Sequence, residues 1–472
     1  MGSFPHLRLF YFRKGENTFT LNMPSVFIKT YGCQMNERDS EAVASQLVDN
    51  GYELALSERS ADVILLNTCS VRDMAEQKAI GKMQNLVAES KRNKPQQIMG
   101  FLGCMAQSRG EELVKNIPGV KLVLGTQKFH RAPEYLDQIF SGASKSIVDI
   151  EEEKGSESTI REHLPATPGT KQAVSTFVSI MQGCNQHCSF CIVPFTRGHE
   201  RCRPIDEIVD ECRNLVARGV KEVTLLGQIV NSYGKRDIPL KDGKSGFVQL
   251  LEAVNEIKGL DRIRFTSPHP KGYGMDLVEA YARLPKLCES AHIPLQSGSN
   301  RLLKLMRRQY TRERFMELVA QLRSVTPNIG LSTDIIVGFP GETEEDFLQT
   351  VDIVKEVEFD QAYIFRYSKR KNTPASEMAN QLSESIKEER NQHLLKVMNE
   401  IGEKRFNTFI GKSVEVLVTG PSRKNSARLE GRTRCHKIVV FEGNQRLIGQ
   451  TIPIQIQRVG SFTLYGDPVI HN

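Results

Sequence analysis

Residues 176–191 read Thr-Phe-Val-Ser-Ile-Met-Gln-Gly-Cys-Asn-Gln-His-Cys-Ser-Phe-Cys. The β-branched, apolar run Thr176–Met181 predicts a strand, and Gly183 marks its end. Directly beyond it stand Cys184, Cys188 and Cys191 in C-x3-C-x2-C spacing. Zinc sites normally close a tetrahedron with four ligands, and here the fourth would have to be His187 or Cys202. Three thiolates on one tight loop instead suit three irons of a 4Fe–4S cluster, with the fourth iron open to a ligand.

Working outward, strand and helix signals alternate from 173 to 405. Candidate strands are Thr176–Met181, Glu222–Leu226, Arg262–Thr266, Ala291–Pro294, Gly330–Val337 and Gln361–Tyr367. Six such units point to a TIM-like domain, a partial or full β/α barrel, with its chemistry at the C-terminal strand ends. Upstream, residues 25–140 repeat the alternation with strands Ser25–Thr30, Val63–Leu66, Ile98–Leu102 and Lys121–Leu124, separated by helical stretches Glu37–Asn50, Asp73–Lys91 and Gln107–Asn116. That pattern is α/β, a doubly wound parallel sheet. Residues 141–172, rich in Ser, Gly, Pro and Glu, read as a linker, and 1–22 as a disordered extension. From 406 to 472, short alternating strands with Gly-containing turns predict a small β-barrel.

The chain has 472 residues, 39% hydrophobic and 25% charged, a globular balance, and no apolar run long enough to cross a membrane. No secretory or myristoylation signal is legible at the start, so a cytoplasmic protein is expected. In a reducing compartment, clustered cysteines among the ten present point to metal or catalysis. The net charge is only +7, but residues 406–472 hold nine Lys/Arg against four Asp/Glu. Arg423, Lys424, Arg428, Arg432, Arg434 and Lys437 crowd together with only Glu430 opposing them. That is the footprint of a polyanion-binding surface, and Arg428, Arg432 and Arg434 share strand parity.

Cys33, Cys69 and Cys104 are too far apart for a local motif, yet each follows an apolar strand. In a parallel sheet all C-terminal strand ends share one edge, where ligands collect. Three thiolates can therefore converge there as ligands of a second cluster. Cys202, Cys212, Cys288 and Cys435 have no metal spacing and are read as non-ligands.

The C-x3-C-x2-C loop after the first strand of a TIM-like domain resembles the radical S-adenosylmethionine (SAM) superfamily. The wider text is similar to its methylthiotransferase family over about 25–470: Thr-Tyr-Gly-Cys-Gln-Met-Asn at 30–36, Asn-Thr-Cys-Ser-Val-Arg at 67–72, Gly-Cys-Met-Ala-Gln at 103–107, Cys-Ile-Val-Pro-Phe-Thr-Arg-Gly at 191–198, His-Ile-Pro-Leu-Gln-Ser-Gly-Ser at 292–299 and Asp-Ile-Ile-Val-Gly-Phe-Pro-Gly-Glu-Thr at 334–343. The resemblance implies two 4Fe–4S clusters, with SAM as both methyl donor and radical source. Its nearest branch adds a methylthio group to C2 of N6-dimethylallyladenosine beside the anticodon of tRNA. Sister branches take threonylcarbamoyladenosine in tRNA or an aspartate of a ribosomal protein; a nonenzymatic iron–sulfur RNA-binding protein is the reading of another class.

The same resemblance implies SAM contacts from Phe190, Gly227, Gln228, Gln296 and Arg308, and identifies the C-terminal barrel with the RNA-binding TRAM domain. The expected partners are tRNA, an electron donor and a sulfur source, with no membrane, and the expected state is a monomer. Six residues at four places depart from the family's usual text: Ile229, Cys202, Lys371-Asn372 before Thr373-Pro374, and Cys435-His436 after Arg-Thr-Arg.

Overall fold

A computed structural model describes residues 23–70, 73–161, 163–164 and 173–469. The expected extension, 1–22, lies outside them, as does 165–172 of the expected linker. The chain divides into two compact units between residues 164 and 165.

The first unit runs β1 Ser25–Tyr31, α1 Gln34–Asp49, β2 Glu53–Leu54, β3 Val63–Thr68, α2 Asp73–Asn93, β4 Ile98–Leu102, α3 Cys104–Arg109, α4 Glu111–Asn116, β5 Val120–Leu124, α5 Ala132–Phe140 and β6 Ile147–Asp149. All strands are parallel, in the order β2-β1-β3-β4-β5-β6. Strands β3 and β4 are wholly buried, as their unbroken apolar runs require of a sheet covered on both faces. One face packs Ala42, Val43 and Leu47 of α1 with Leu136 and Ile139 of α5; the other packs Ala79, Met83 and Leu86 of α2 with Met105 and Leu113.

Two sequence expectations need correction here. The helix expected over Gln107–Asn116 is two helices broken at Gly110, whose φ of 47° takes the chain out of helical geometry. The first part of the expected linker is not a connector. Ile147–Asp149 adds a sixth strand beside β5, and Ile160 packs into the core.

The second unit opens with β7 Ser175–Ser179, β8 Met181–Gln182, α6 Val193–Arg197, β9 Arg201–Cys202, α7 Ile205–Ala217, β10 Glu222–Leu226, α8 Gly246–Asn255, β11 Arg262–Phe265, α9 Met275–Arg283 and β12 Ser290–His292. It continues with α10 Asn300–Leu305, α11 Arg312–Val325, β13 Gly330–Val337, α12 Glu344–Val357, β14 Gln361–Arg366 and the long α13 Glu384–Asn407. Parallel strands β7-β10-β11 and β12-β13-β14 form two three-stranded sheets, joined where Ile263 bonds to Lys286 and Cys288. Among the described residues β7 and β14 do not pair, so the six strands make a partial barrel.

Antiparallel and parallel pairings close β15 Ser413–Pro421, β16 Leu429–Thr433, β17 Ile438–Phe441, β18 Thr451–Gly460 and β19 Thr463–Pro468 into a small barrel around Val416, Val418, Leu429, Val439, Phe441, Ile454 and Leu464.

The closed barrel is fastened to the start of the parallel strands. Arg262 and Arg264 alternate along β11 and donate to the carbonyls of Arg432 (2.6 Å), Thr433 (2.8 Å) and Arg434 (2.9 Å). Arg434 forms a bidentate pair with Glu289, and Lys437 Nζ lies 2.8 Å from Asp360. A Cβ at Gly330 would sit 2.6 Å from the Cys435 carbonyl, so only glycine lets the turn between β16 and β17 approach there.

Candidate functional site

The cluster loop is held by backbone contacts that leave its thiols in place. Gly183 has φ 74°, and a Cβ there would meet the His199 carbonyl at 1.9 Å. Cys184 N donates to Gly198 O at 3.1 Å, and Cys191 N to Cys188 O at 3.1 Å. From below, Ser189 N donates to Met306 O and its hydroxyl to Leu305 O (2.8 Å), while Ala375 N donates to Ser189 O at 2.8 Å. Burial pushes the Cys184 thiol up to about 11 and the Cys191 thiol up to about 12. A buried thiolate therefore needs a compensating positive centre, which iron supplies. His187 is exposed, and Cys202 lies on β9 accepting from Gly234 N at 3.4 Å.

Arg308 is not on a helix face. It lies beyond α10, and its Nη1 donates to Cys188 Sγ at 3.4 Å while Nε reaches the Tyr310 hydroxyl at 3.4 Å. Burial works against its charge, but the Tyr310 oxygen and Cys188 sulfur more than offset it, so its pKa is raised. A guanidinium beside a cysteine thiol presents a fork whose geometry suits a carboxylate.

Of the other expected SAM contacts, Phe190 lies in the loop itself, and Gly227, Gln228 and Gln296 lie at strand ends. Phe190 packs with Leu302, Met306, Phe339, Tyr367 and Ala375. Gly227 follows β10, where a Cβ would meet Met181 Cγ at 2.5 Å, and Gln228 is half-buried next to it. Gln296 is buried at a left-handed φ of 63°, its backbone bonded to Asp334 O and Ile336 N.

The sequence marks Ser267-Pro268-His269 as a polar strand tail suited to a ligand pocket, without assigning His269 a role. That histidine is buried after β11, edge-on to Tyr310 at 5.5 Å. Burial and the charges of Arg308 and Lys271 push its pKa down to about 3, so the ring is neutral at physiological pH. Its backbone is locked by Asn231, whose side chain donates to His269 O (2.9 Å) and accepts from His269 N (2.8 Å). Ser267, two residues before His269, has φ 59°, a left-handed value for a non-glycine residue at this strand end.

In the first unit the strand order reverses between β1 and β3, so the crevice of the doubly wound sheet opens at their C-terminal ends. Cys33 follows β1 and Cys69 follows β3; Cys104 follows β4. The three loops are packed together. A Cβ on Gly32 would lie 2.5 Å from Cys69 Cβ, and one on Gly103 would lie 2.1 Å from Asn67 Oδ1. Beneath them Asn36 Nδ2 donates to Asn67 Oδ1, Asn67 Nδ2 donates to Asn36 O and Ser40 Oγ, and Cys33 Sγ donates to Asn36 Oδ1 at 3.2 Å.

Among the described residues no three His, Cys, Asp or Glu side chains crowd one point as a single metal ion would need.

The basic residues of the C-terminal barrel divide. Arg423 and Lys424 are exposed, and Arg428 is half-buried in a pair with Glu442 (3.1 Å). Arg432 bonds to His436, while Arg434 and Lys437 are committed to Glu289 and Asp360. The shared-parity face does not exist, since Arg428 and Arg434 lie outside β16. Arg434 and Lys437 therefore serve attachment of the barrel, because a charge paired at a buried junction is not available to a phosphate.

Residues 25–125 match an uncharacterized protein family designated UPF0004, 178–354 match the radical SAM superfamily, and 407–469 match the TRAM domain. A protein of Akkermansia muciniphila named tRNA-2-methylthio-N(6)-dimethylallyladenosine synthase is 52% identical over 94% of this chain and 99% of its own. One of the same name from Methylacidiphilum infernorum is 51% identical, over 95% of each chain. The chain belongs to the methylthiotransferase family of radical SAM enzymes. Radical SAM methylthiotransferases use SAM and iron–sulfur clusters, the cofactors that the cysteine loops above fit. A solved structure of a radical SAM methyltransferase, TsrM from Kitasatospora setae, shares the fold at a TM-score of 0.54 over 75% of both chains with 14% identity.

Proposed function

We propose that this methylthiotransferase adds a methylthio group to C2 of N6-dimethylallyladenosine in tRNA. Near-full-length identity to two synthases so named supports this substrate over the sister ones. In this reading Cys184, Cys188 and Cys191 hold the cluster that binds SAM, and Cys33, Cys69 and Cys104 hold the auxiliary one. When bound, these groups supply an electron, a 5′-deoxyadenosyl radical and a transferable methylthio sulfur.

The chain's own residues bind and orient. Arg308 takes the SAM carboxylate, Gln228 and the Gly227 backbone its amino group, Gln296 its ribose and Phe190 its adenine. Neutral His269 lines this site without adding charge. Arg423, Lys424 and Arg428 contact RNA phosphates. The protein works as a cytoplasmic monomer, fed electrons and sulfur by other proteins.

The observation that carries the reading is the pairing in one chain of a buried three-cysteine loop with a cysteine set at the crevice of a parallel sheet. Nucleoside analysis of tRNA from a deletion strain tests it. The methylthio derivative should vanish and N6-dimethylallyladenosine accumulate; persistence of the product would exclude this substrate.

A further inference from the structure

Between Asp360 and Glu377 the chain carries Arg366, Lys369, Arg370 and Lys371 and no acidic residue. This segment is β14 and the strap that follows it, Tyr367–Ala375. The strap is tied to the cluster loop, since Ala375 N donates to Ser189 O at 2.8 Å and Tyr367 and Ala375 pack with Phe190. It is braced internally by Thr373, whose hydroxyl and N–H both donate to Arg370 O (2.7 and 3.1 Å). Asn372 turns it at φ 69°. Arg370 is buried, whereas Lys369 and Lys371 on either side of it are exposed.

The strand leading into the strap presents large aromatics: Tyr363 is 42% and Phe365 36% exposed. Tyr363 is opposite Asp334 in the sheet and edge-on to His292 at 6.0 Å, which places it on the inner face of the partial barrel. Two acids of α13 are already engaged: Glu384 pairs with Lys387, and Glu388 with Arg366. A rigid strap with two outward cations, beside an aromatic face and bonded to the cluster loop, is complementary to a single-stranded polynucleotide.

We propose that Lys369 and Lys371 grip phosphates of the tRNA anticodon loop, with Tyr363 as the platform on which a loop base stacks. This is a second RNA contact, separate from the C-terminal barrel, and it rests on the tRNA reading above. Lys371-Asn372 is one of the four departures from the family's usual text, so the grip belongs to this chain's own sequence.

The test uses the full chain, reconstituted with its clusters, and an anticodon stem-loop RNA carrying N6-dimethylallyladenosine, titrated at several salt concentrations. The variant Lys369→Glu/Lys371→Glu should bind at least about tenfold more weakly. Its log affinity should fall with log salt less steeply by about 1.4, since each single-strand phosphate contact contributes ~0.7. Lys369→Arg/Lys371→Arg should restore both values, and Tyr363→Ala should weaken binding about tenfold. RNA-independent SAM cleavage should be unchanged in the lysine variants, which shows the cluster loop intact. Wild-type affinity and salt slope in the Glu variant would overturn the proposal alone. A wild-type protein that fails to bind the stem-loop would overturn the tRNA reading and the proposal together.

Discussion

Lys437 Nζ lies 2.8 Å from Asp360 Oδ1, and the pair is buried where the C-terminal barrel meets the start of β14. Asp360 also accepts from Arg405 and from Leu331 N. Losing Lys437 leaves Asp360 still paired with Arg405 and Leu331 N, so the cost is that of one charge-assisted hydrogen bond, about 1.5–3 kcal/mol. Lys437→Ala should therefore lower stability by about that amount in denaturant unfolding, with the two barrels ceasing to melt together.

The same carboxylate sets an acid limit. Burial alone would raise the Asp360 pKa, but Lys437 and Arg405 outweigh it and hold it below the ordinary value. A depressed carboxylate pKa contributes stability that is complete above the unfolded value of about 4 and is lost as pH falls through the folded one. Thermal melts below pH 4 should lose stability steeply, and Asp360→Asn should flatten that limb.

Arg308→Ala removes the fork beside Cys188 while leaving the loop's backbone bonds. Iron content should remain that of the wild type, and SAM affinity should fall at least about tenfold, the scale of a lost charge-assisted hydrogen bond. Equilibrium binding of SAM to the anaerobic protein measures it.

Gly183→Ala would drive a Cβ into the His199 carbonyl at 1.9 Å. The loop must then shift, and iron should drop from about eight per chain to about four as one of two 4Fe–4S sites is lost. Elemental analysis with iron and sulfide assays reads this directly, and reductive SAM cleavage should disappear with that iron.

Substituting Cys33, Cys69 and Cys104 by Ala together should have the opposite signature. Reductive cleavage of SAM should persist while methylthio product is absent. Quantifying 5′-deoxyadenosine and the modified nucleoside in one reaction separates the two, and wild-type product yield would remove those thiols from the chemistry.

The strands of both α/β regions were readable because buried parallel strands are short apolar runs ended by Gly, Cys or Asn. Periodicity said less where structure depends on distant partners. The strand Ile147–Asp149 is three residues inside a polar, Gly- and Ser-rich stretch, and only β5 beside it makes it a strand. The basic cluster Arg423–Lys437 was legible as charge but not as placement, because Glu289 and Asp360, which occupy Arg434 and Lys437, lie far away in sequence. His269 was legible as part of a polar strand tail but not in its role, because a lone histidine gains meaning only from Tyr310 and Arg308 packed against it.

The small barrel is bolted to one end of the parallel strands, whereas the cysteine loop emerges at the other. Strand β13 alone spans eight residues, about 26 Å at ~3.3 Å each. Anything touching both ends at once must be at least that long and hold its shape across the gap. A free nucleoside is too short to bear on both ends, so only a ligand the size of a folded stem-loop could be measured by that distance.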